Sequence, residues 1–150
     1  VVIGTNGGDA YACLEMMDAI KSCSVKVATI VEGKAFSAGA FLFSCGAEGH
    51  RYMAPNATLM IHPLSMESFG SIGAVKTSTE EGDRLNEKLF KMLSKNCNKP
   101  ESYFFDKLKS DYFSAEWYLD PKEAVRHNLT NHMKVPFFTV DVGMTYKFGL

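Results

Sequence analysis

Ser37 and His62 are the two side chains whose types and spacing could do covalent chemistry. Ser37 stands among Ala35, Ala38, Gly39 and Ala40, just after a strand-like run and at the start of a helix-like one. Small neighbours let the chain turn sharply and leave the hydroxyl exposed, and a helix start supplies free N–H groups. His62 closes the apolar run Thr58 to Ile61, before Pro63. A serine becomes a nucleophile when an imidazole takes its proton and a third group orients the ring. Each residue also has an ordinary reading: Ser37 as a helix N-cap, His62 as a strand-edge histidine. The G-x-S-x-G elbow does not apply, because position 35 is Ala. His50, His127 and His132 lie in turn-like or surface contexts and read as structural.

A second feature bears on the same chemistry. Thr5-Asn6-Gly7-Gly8-Asp9 follows an apolar run and precedes an amphipathic one. Glycine tolerates positive φ and lets backbone amides approach a ligand closely. Alone, such a pair is a plain strand-to-helix turn. Beside an activated serine it could hold an oxyanion.

The elements that must position these residues follow from periodicity. VVIG reads as a buried strand, and Asp9 as the N-cap of a helix that turns Ala10, Leu14 and Met17 to one side. Residues 25 to 33 read as a second buried strand, SAGAFLFSCGAEG as a small-residue helix, and HRYMAP and NATLMIH as two short strands around a Pro55-Asn56 turn. This alternation predicts an α/β fold with a largely parallel sheet. Residues 65 to 73 read as a glycine-bearing loop. Residues 74 to 97 form a long amphipathic helix with Leu85, Leu89, Met92 and Leu93 at helical spacing. PESYFFDKLKS and PKEAVRHN read as further helices, and the Phe-rich tail as strand. One domain over 1–150, with a helical arm at about 65–110, is the economical organisation.

Bulk properties exclude some functions. The chain has 150 residues, 46% hydrophobic and 22% charged, with net charge −1 and its Lys and Arg dispersed. Nucleic acid as main partner would need a basic stripe. No apolar run approaches the length of a membrane span, and no stretch reads as a signal peptide, so no membrane partner is expected. Cys13, Cys23, Cys45 and Cys97 lack metal-ligand spacing and read as reduced core or interface residues, in keeping with a cytoplasmic protein. No metal or other cofactor is expected.

Together these segments resemble the ClpP family of ATP-dependent serine peptidases. The likeness runs through NGGDAYACLEMMDAIKSC, VATIVEGKAFSAGAFLFSCGAEGHRYMAPNATLMIHP and EWYLDPKEAVRHNL, and is most specific in the G-x-x-R-Y-M-A-P-N-A-T-x-M-I-H frame. It is weakest from 64 to 110 and in the tail, and nearer to viral and phage branches than to the bacterial housekeeping one. It implies a ClpP/crotonase-like fold of repeated βαβ units with a protruding handle helix. It implies Ser37 as nucleophile, His62 as general base, and Gly7, Gly8 and Ala38 as oxyanion-hole residues. Substrate polypeptide would add as a strand beside Phe69, Gly70, Ser71, Ile72 and Gly73. The implied assembly is a homo-oligomer of heptameric rings, single or stacked, fed by an AAA+ unfoldase such as ClpX, ClpA or ClpC. In a viral member the location would be the host cytoplasm.

The departures are specific. The family's Ser-Pro-Gly-Gly loop is here Thr5-Asn6-Gly7-Gly8, and Phe36 and Ala38 flank the nucleophile where many members have Ala and Met. Aligning on Lys122-Glu123-Ala124-Val125 puts Glu116 where the family has its triad Asp. Asp111 is the alternative acid, and Asp120 and Asp106 fit less well. The leading segment that family members carry before the first strand, with its pore and docking loops, is missing from the expected domain. Two other readings keep the fold and change the role: a non-catalytic subunit of a mixed ring, and a crotonase-type acyl-CoA enzyme. The latter would not need Ser37 and His62 together, and no CoA-binding feature is evident.

Overall fold

The computed structural model describes residues 1–113, 115–137 and 143. Its first strand, β1 (Val2–Thr5), leads through the Gly7-Gly8 turn into helix α1 (Ala10–Ser22). Asp9 caps that helix as the sequence predicts, its carboxylate accepting from the Ala12 N–H at 2.9 Å. Cys13, Leu14 and Met17 form the buried face.

Strand β2 (Thr29–Phe36) is shifted toward the C-terminus relative to the predicted 25–33. The cause is pairing on both of its edges. β1 runs parallel along one edge, from Val2 opposite Ile30 to Thr5 opposite Ala35. On the other edge β2 serves two partners in succession, both parallel. Thr29–Val31 pair with β3 (Arg51–Met53), and Lys34–Phe36 pair with β4 (Thr58–Ile61). Residues 34–36, which look like a turn in sequence, are therefore strand. This fork sets the end of β4 beside the end of β2. Ligand sites in parallel sheets form outside such carboxyl ends.

Helix α2 (Ala38–Ser44) follows β2 directly and is shorter than the predicted SAGAFLFSCGAEG helix. It ends before Gly46, where a Cβ would lie 2.1 Å from the Thr29 hydroxyl oxygen. Gly39 is its tight contact with the sheet, since a Cβ there would meet Thr5 Cγ2 at 2.5 Å. β5 (Trp117–Leu119) adds antiparallel to β4, with Ile61 opposite Trp117 and Leu59 opposite Leu119.

The long helix α3 (Ile72–Asn96) starts two residues earlier than predicted, and Ser71 caps it by accepting from the Ala74 N–H at 3.3 Å. Its fully buried residues, Gly82, Leu85, Leu89, Phe90, Leu93 and Ser94, all lie in the later part. The part before Gly82 stands out into solvent as the expected handle. Helix α4 (Tyr103–Asp111) buries Phe104 and Leu108, and α5 (Pro121–Arg126) starts with Pro121 after the Asp120 cap. One apolar core joins the sheet, α1, α2 and the later part of α3. The strand-like tail predicted from the sequence lies almost wholly outside the described residues. Among the described residues no helix is long and apolar enough to cross a membrane.

Candidate active site

Ser37 occupies the single-residue joint between β2 and α2, with φ 55° and ψ −123°. For a residue with a Cβ this conformation costs about 1–3 kcal/mol, and the surroundings must enforce it. They do so through the backbone. The Ser37 N–H donates to the Met60 carbonyl at 2.8 Å, which ties the joint to β4. Its carbonyl accepts from the Ala40 N–H at 2.9 Å, which ties it to the first turn of α2. The side chain makes no capping bond. An N-cap serine would spend its oxygen on the helix, whereas the Ser37 Oγ lies 2.8 Å from His62 Nε2. With the ring proton on Nδ1, the hydroxyl donates to Nε2, the arrangement a general base needs.

Gly7 packs directly under this joint. A Cβ there would stand 2.7 Å from Ser37 Cβ and 2.8 Å from the Phe36 carbonyl oxygen, and its φ is +104°. Both facts require glycine. Its own N–H donates to Thr5 Oγ1 at 3.1 Å. Of the three amides expected to hold an oxyanion, Gly7 is therefore engaged within its loop. Gly8 N–H has no acceptor among the described residues. Ala38 N–H is the first of helix α2 and so has no intrahelical acceptor. Gly8 and Ala38 line the same cleft as Ser37 and His62.

The acid is where sequence and structure part. The structure brings neither Glu116 nor Asp111 to His62. Glu116 is exposed, and its Oε2 accepts from the Tyr118 hydroxyl at 2.7 Å. Asp111 ends α4, with its carboxylate on Lys107 Nζ at 2.6 Å and on the Ser110 hydroxyl at 2.7 Å; those donors hold its pKa below the ordinary carboxylate value. Asp120 caps α5 by accepting from the Glu123 N–H at 2.7 Å. Among the described residues no side chain hydrogen-bonds His62 Nδ1. The β4–β5 ladder ends at Ile61 opposite Trp117, and the same register continued by one residue would set His62 opposite Glu116.

The expected substrate strip is partly corrected. Phe69 and Gly70 lie outside regular structure, but Ser71 is the α3 cap and Ile72 and Gly73 are its first helical residues. A helical backbone offers no strand edge, so Ser71–Gly73 cannot pair with substrate in this conformation. Phe69 is 86% and Ile72 91% exposed.

Sequence reasoning missed the walls of the cleft. Cys13 of α1 and Asn86 and Leu89 of α3 face Ser37 and His62. Asn86 Oδ1 accepts from the Leu64 N–H at 3.0 Å, which fastens the segment after His62 to the handle. Its signal was a polar residue beside Leu85 on the core-facing side of an amphipathic helix. Larger hollows exist, one of about 370 Å³ between α3 and α4 beside Phe90 and Phe105, but it holds no nucleophile and base together. The other histidines are structural. His50 bonds the Glu48 carbonyl, His127 the Tyr103 hydroxyl, and His132 the Gly49 carbonyl.

With this geometry in place, two comparisons bear on the chain. The family model described as Clp protease matches residues 1–136. The ATP-dependent Clp protease proteolytic subunit 3, chloroplastic, of Arabidopsis thaliana is 36% identical over 121 residues, 77% of this chain and 37% of the relative. The chain thus spans little more than a third of that relative's length.

Proposed function

The chain belongs to the Clp protease family, and from that premise we propose that it is a serine endopeptidase acting by acyl transfer on unfolded polypeptide. The observation that carries the reading is the 2.8 Å contact between Ser37 Oγ and His62 Nε2, on a serine whose backbone is forced into a left-handed joint. The Ser37 oxygen attacks a peptide carbonyl while its proton passes to His62 Nε2. The carbonyl oxygen becomes an oxyanion and is met by the Gly8 and Ala38 N–H groups, each such donor worth about 3 kcal/mol of barrier. His62 then gives the proton to the leaving amine, and the C–N bond breaks to leave an acyl-enzyme on Ser37. A water, deprotonated by His62, attacks the ester and restores the hydroxyl.

The family context supports further parts of the proposal. The working form is a homo-oligomeric ring, heptameric, single or stacked, in which access to the chamber and not a tight pocket limits substrates. An AAA+ unfoldase supplies extended chains. The free Cys13, Cys45 and Cys97 thiols, all buried, support a reducing compartment such as the cytoplasm.

Hydrolysis of casein and of a short fluorogenic peptide amide tests the reading. The assembled chain is expected to cleave both, and Ser37→Ala neither. Cleavage that survives Ser37→Ala overturns it. One observation favours a second reading, a non-catalytic subunit within a mixed ring: His62 Nδ1 has no acid partner among the described residues. A folded, assembled chain without hydrolysis would select that role.

A further inference from the structure

Glu116 bonds one neighbour on its face of the sheet, Tyr118, and the strand register, continued one step, would set a second beside it. Phe36 pairs with Met60, and Met60 pairs with Tyr118, so the three form one cross-strand row. Side chains two apart on a strand share a face. Two residues beyond Met60 is His62, and two before Tyr118 is Glu116. Continued one step past the end of the ladder, the next row of that face would be His62 with Glu116. Along β5 the Glu116 carboxylate meets Tyr118, whose hydroxyl donates to Oε2 at 2.7 Å. Across the sheet it would meet His62, whose Nδ1 has no partner among the described residues.

Tyr118 is itself held in place. Its ring packs edge-on against Phe36 at 5.7 Å, immediately before the nucleophile, and it is 49% exposed. The departure at Phe36 noted in the sequence thus builds the support for the tyrosine. The longer arm of Glu, one methylene beyond Asp, is what lets the carboxylate reach along the strand to residue i+2.

We propose that Tyr118 is a positioning residue that competes with His62 for the Glu116 carboxylate, so that breaking the Tyr118–Glu116 hydrogen bond completes the triad. The inference rests on the peptidase reading above and adds a control point to it. In the latched state the dyad is formed and the imidazolium lacks its counter-charge. In the released state Glu116 accepts from Nδ1–H and stabilises that imidazolium. Other groups face His62 in both states. They are the Cys13 thiol on α1, pushed by burial up to about 11 and so neutral, and the Asn86 amide on α3. Lys34 on β2 sits with its ammonium over the Phe36 ring. None of these changes with the latch.

The test compares the full-length, assembled wild type with Tyr118→Phe, Glu116→Asp, and Tyr118→Phe combined with Glu116→Gln, on a short fluorogenic peptide amide. Phenylalanine keeps the ring on Phe36 and removes only the donor. Tyr118→Phe is expected to raise kcat about three- to tenfold with KM unchanged, the scale of one ordinary net hydrogen bond. The acid limb of kcat/KM should move to higher pH, because a carboxylate at Nδ1 favours the protonated ring. Glu116→Asp, too short to reach Tyr118, should move both quantities the same way, and serves if Tyr118→Phe assembles poorly. The double variant should lose the gain. Hydrolysis by the wild type that neither single variant alters, or a gain that persists in the double variant, overturns the latch and leaves the peptidase reading standing. No hydrolysis by the wild type or by either single variant overturns the peptidase reading itself.

Discussion

Arg51 and His62 sit in one short sequence frame, and the fold treats their polar groups in opposite ways. Arg51 is 1% exposed, and its guanidinium donates to four carbonyls: Leu129 at 3.0 Å, Gly46 at 3.3 Å, Asn96 at 3.1 Å and Asn128 at 2.9 Å. It ties the end of α2, the end of α3 and the turn after α5 into one knot, with its pKa lowered by burial. His62 makes one side-chain bond, to Ser37, and leaves Nδ1 unpartnered among the described residues. Around it the Gly8 and Ala38 amides are also open. A buried cation must satisfy every donor or destabilise the fold. A reacting centre must keep donors and acceptors unfilled for a transition state. The contrast separates the residues that hold this molecule together from those that would make it work.

Substitutions on the two sides should break apart cleanly. Ser37→Ala is expected to lower kcat/KM on the order of 10⁴-fold or more, as removal of a nucleophile does, while the urea midpoint barely moves. Arg51→Met should do the reverse. Four carbonyls, two of them in buried bonds, lose their donor, so unfolding free energy should fall by about 3–5 kcal/mol, with kcat per folded molecule retained. Equilibrium urea unfolding beside active-site-normalised kinetics would show both, and a large activity loss in a folded Arg51→Met chain would blur the comparison.

Gly7→Ala sits between the two classes. It adds a Cβ 2.7 Å from Ser37 Cβ at a φ of +104°, so the joint must move. A displacement near 1 Å at the nucleophile should lower kcat by about 10²-fold, with a smaller stability loss. Wild-type kinetics in that variant would show that the joint is not held from below.

The smallest effect concerns His127, part of the structural side. Burial, followed by the nearby Lys107 charge, pushes its pKa below the ordinary 6.5. The folded state therefore prefers the neutral ring, and the unfolded chain binds the extra proton first. Stability is full above about pH 6.5 and falls as pH drops below that toward the folded pKa. The urea midpoint should decline as the pH falls below about 6.5, and His127→Gln should flatten that decline.

What was legible in the sequence divides along similar lines. Ser37, His62 and the Gly7-Gly8 loop stood out as candidates from local surroundings (small residues at a joint, an apolar strand ending in histidine, glycines in a turn), and the family resemblance supplied their expected roles. The α/β order and the long helix were visible from periodicity, and the helix's role as a handle from the family resemblance. The extent of β2 was not, since residues 34–36 become strand only by pairing with Thr58–Met60 from a distant segment. The β5 register, with Ile61 opposite Trp117, is equally non-local, and so is the setting in which Glu116 accepts from Tyr118. The substrate strip went astray because Ser71 can end a loop or cap a helix, and here it caps α3. Arg51 gave no sign in composition that it would meet four carbonyls, since those acceptors come from three separate segments.

The central claim is that Ser37 is a nucleophile activated by His62. Its most direct test is intact-mass spectrometry of the assembled chain after a fluorophosphonate probe, with peptide mapping. The account predicts one adduct per chain, on Ser37, and none in Ser37→Ala or His62→Ala. A folded, assembled wild type that carries no adduct on Ser37 would contradict it.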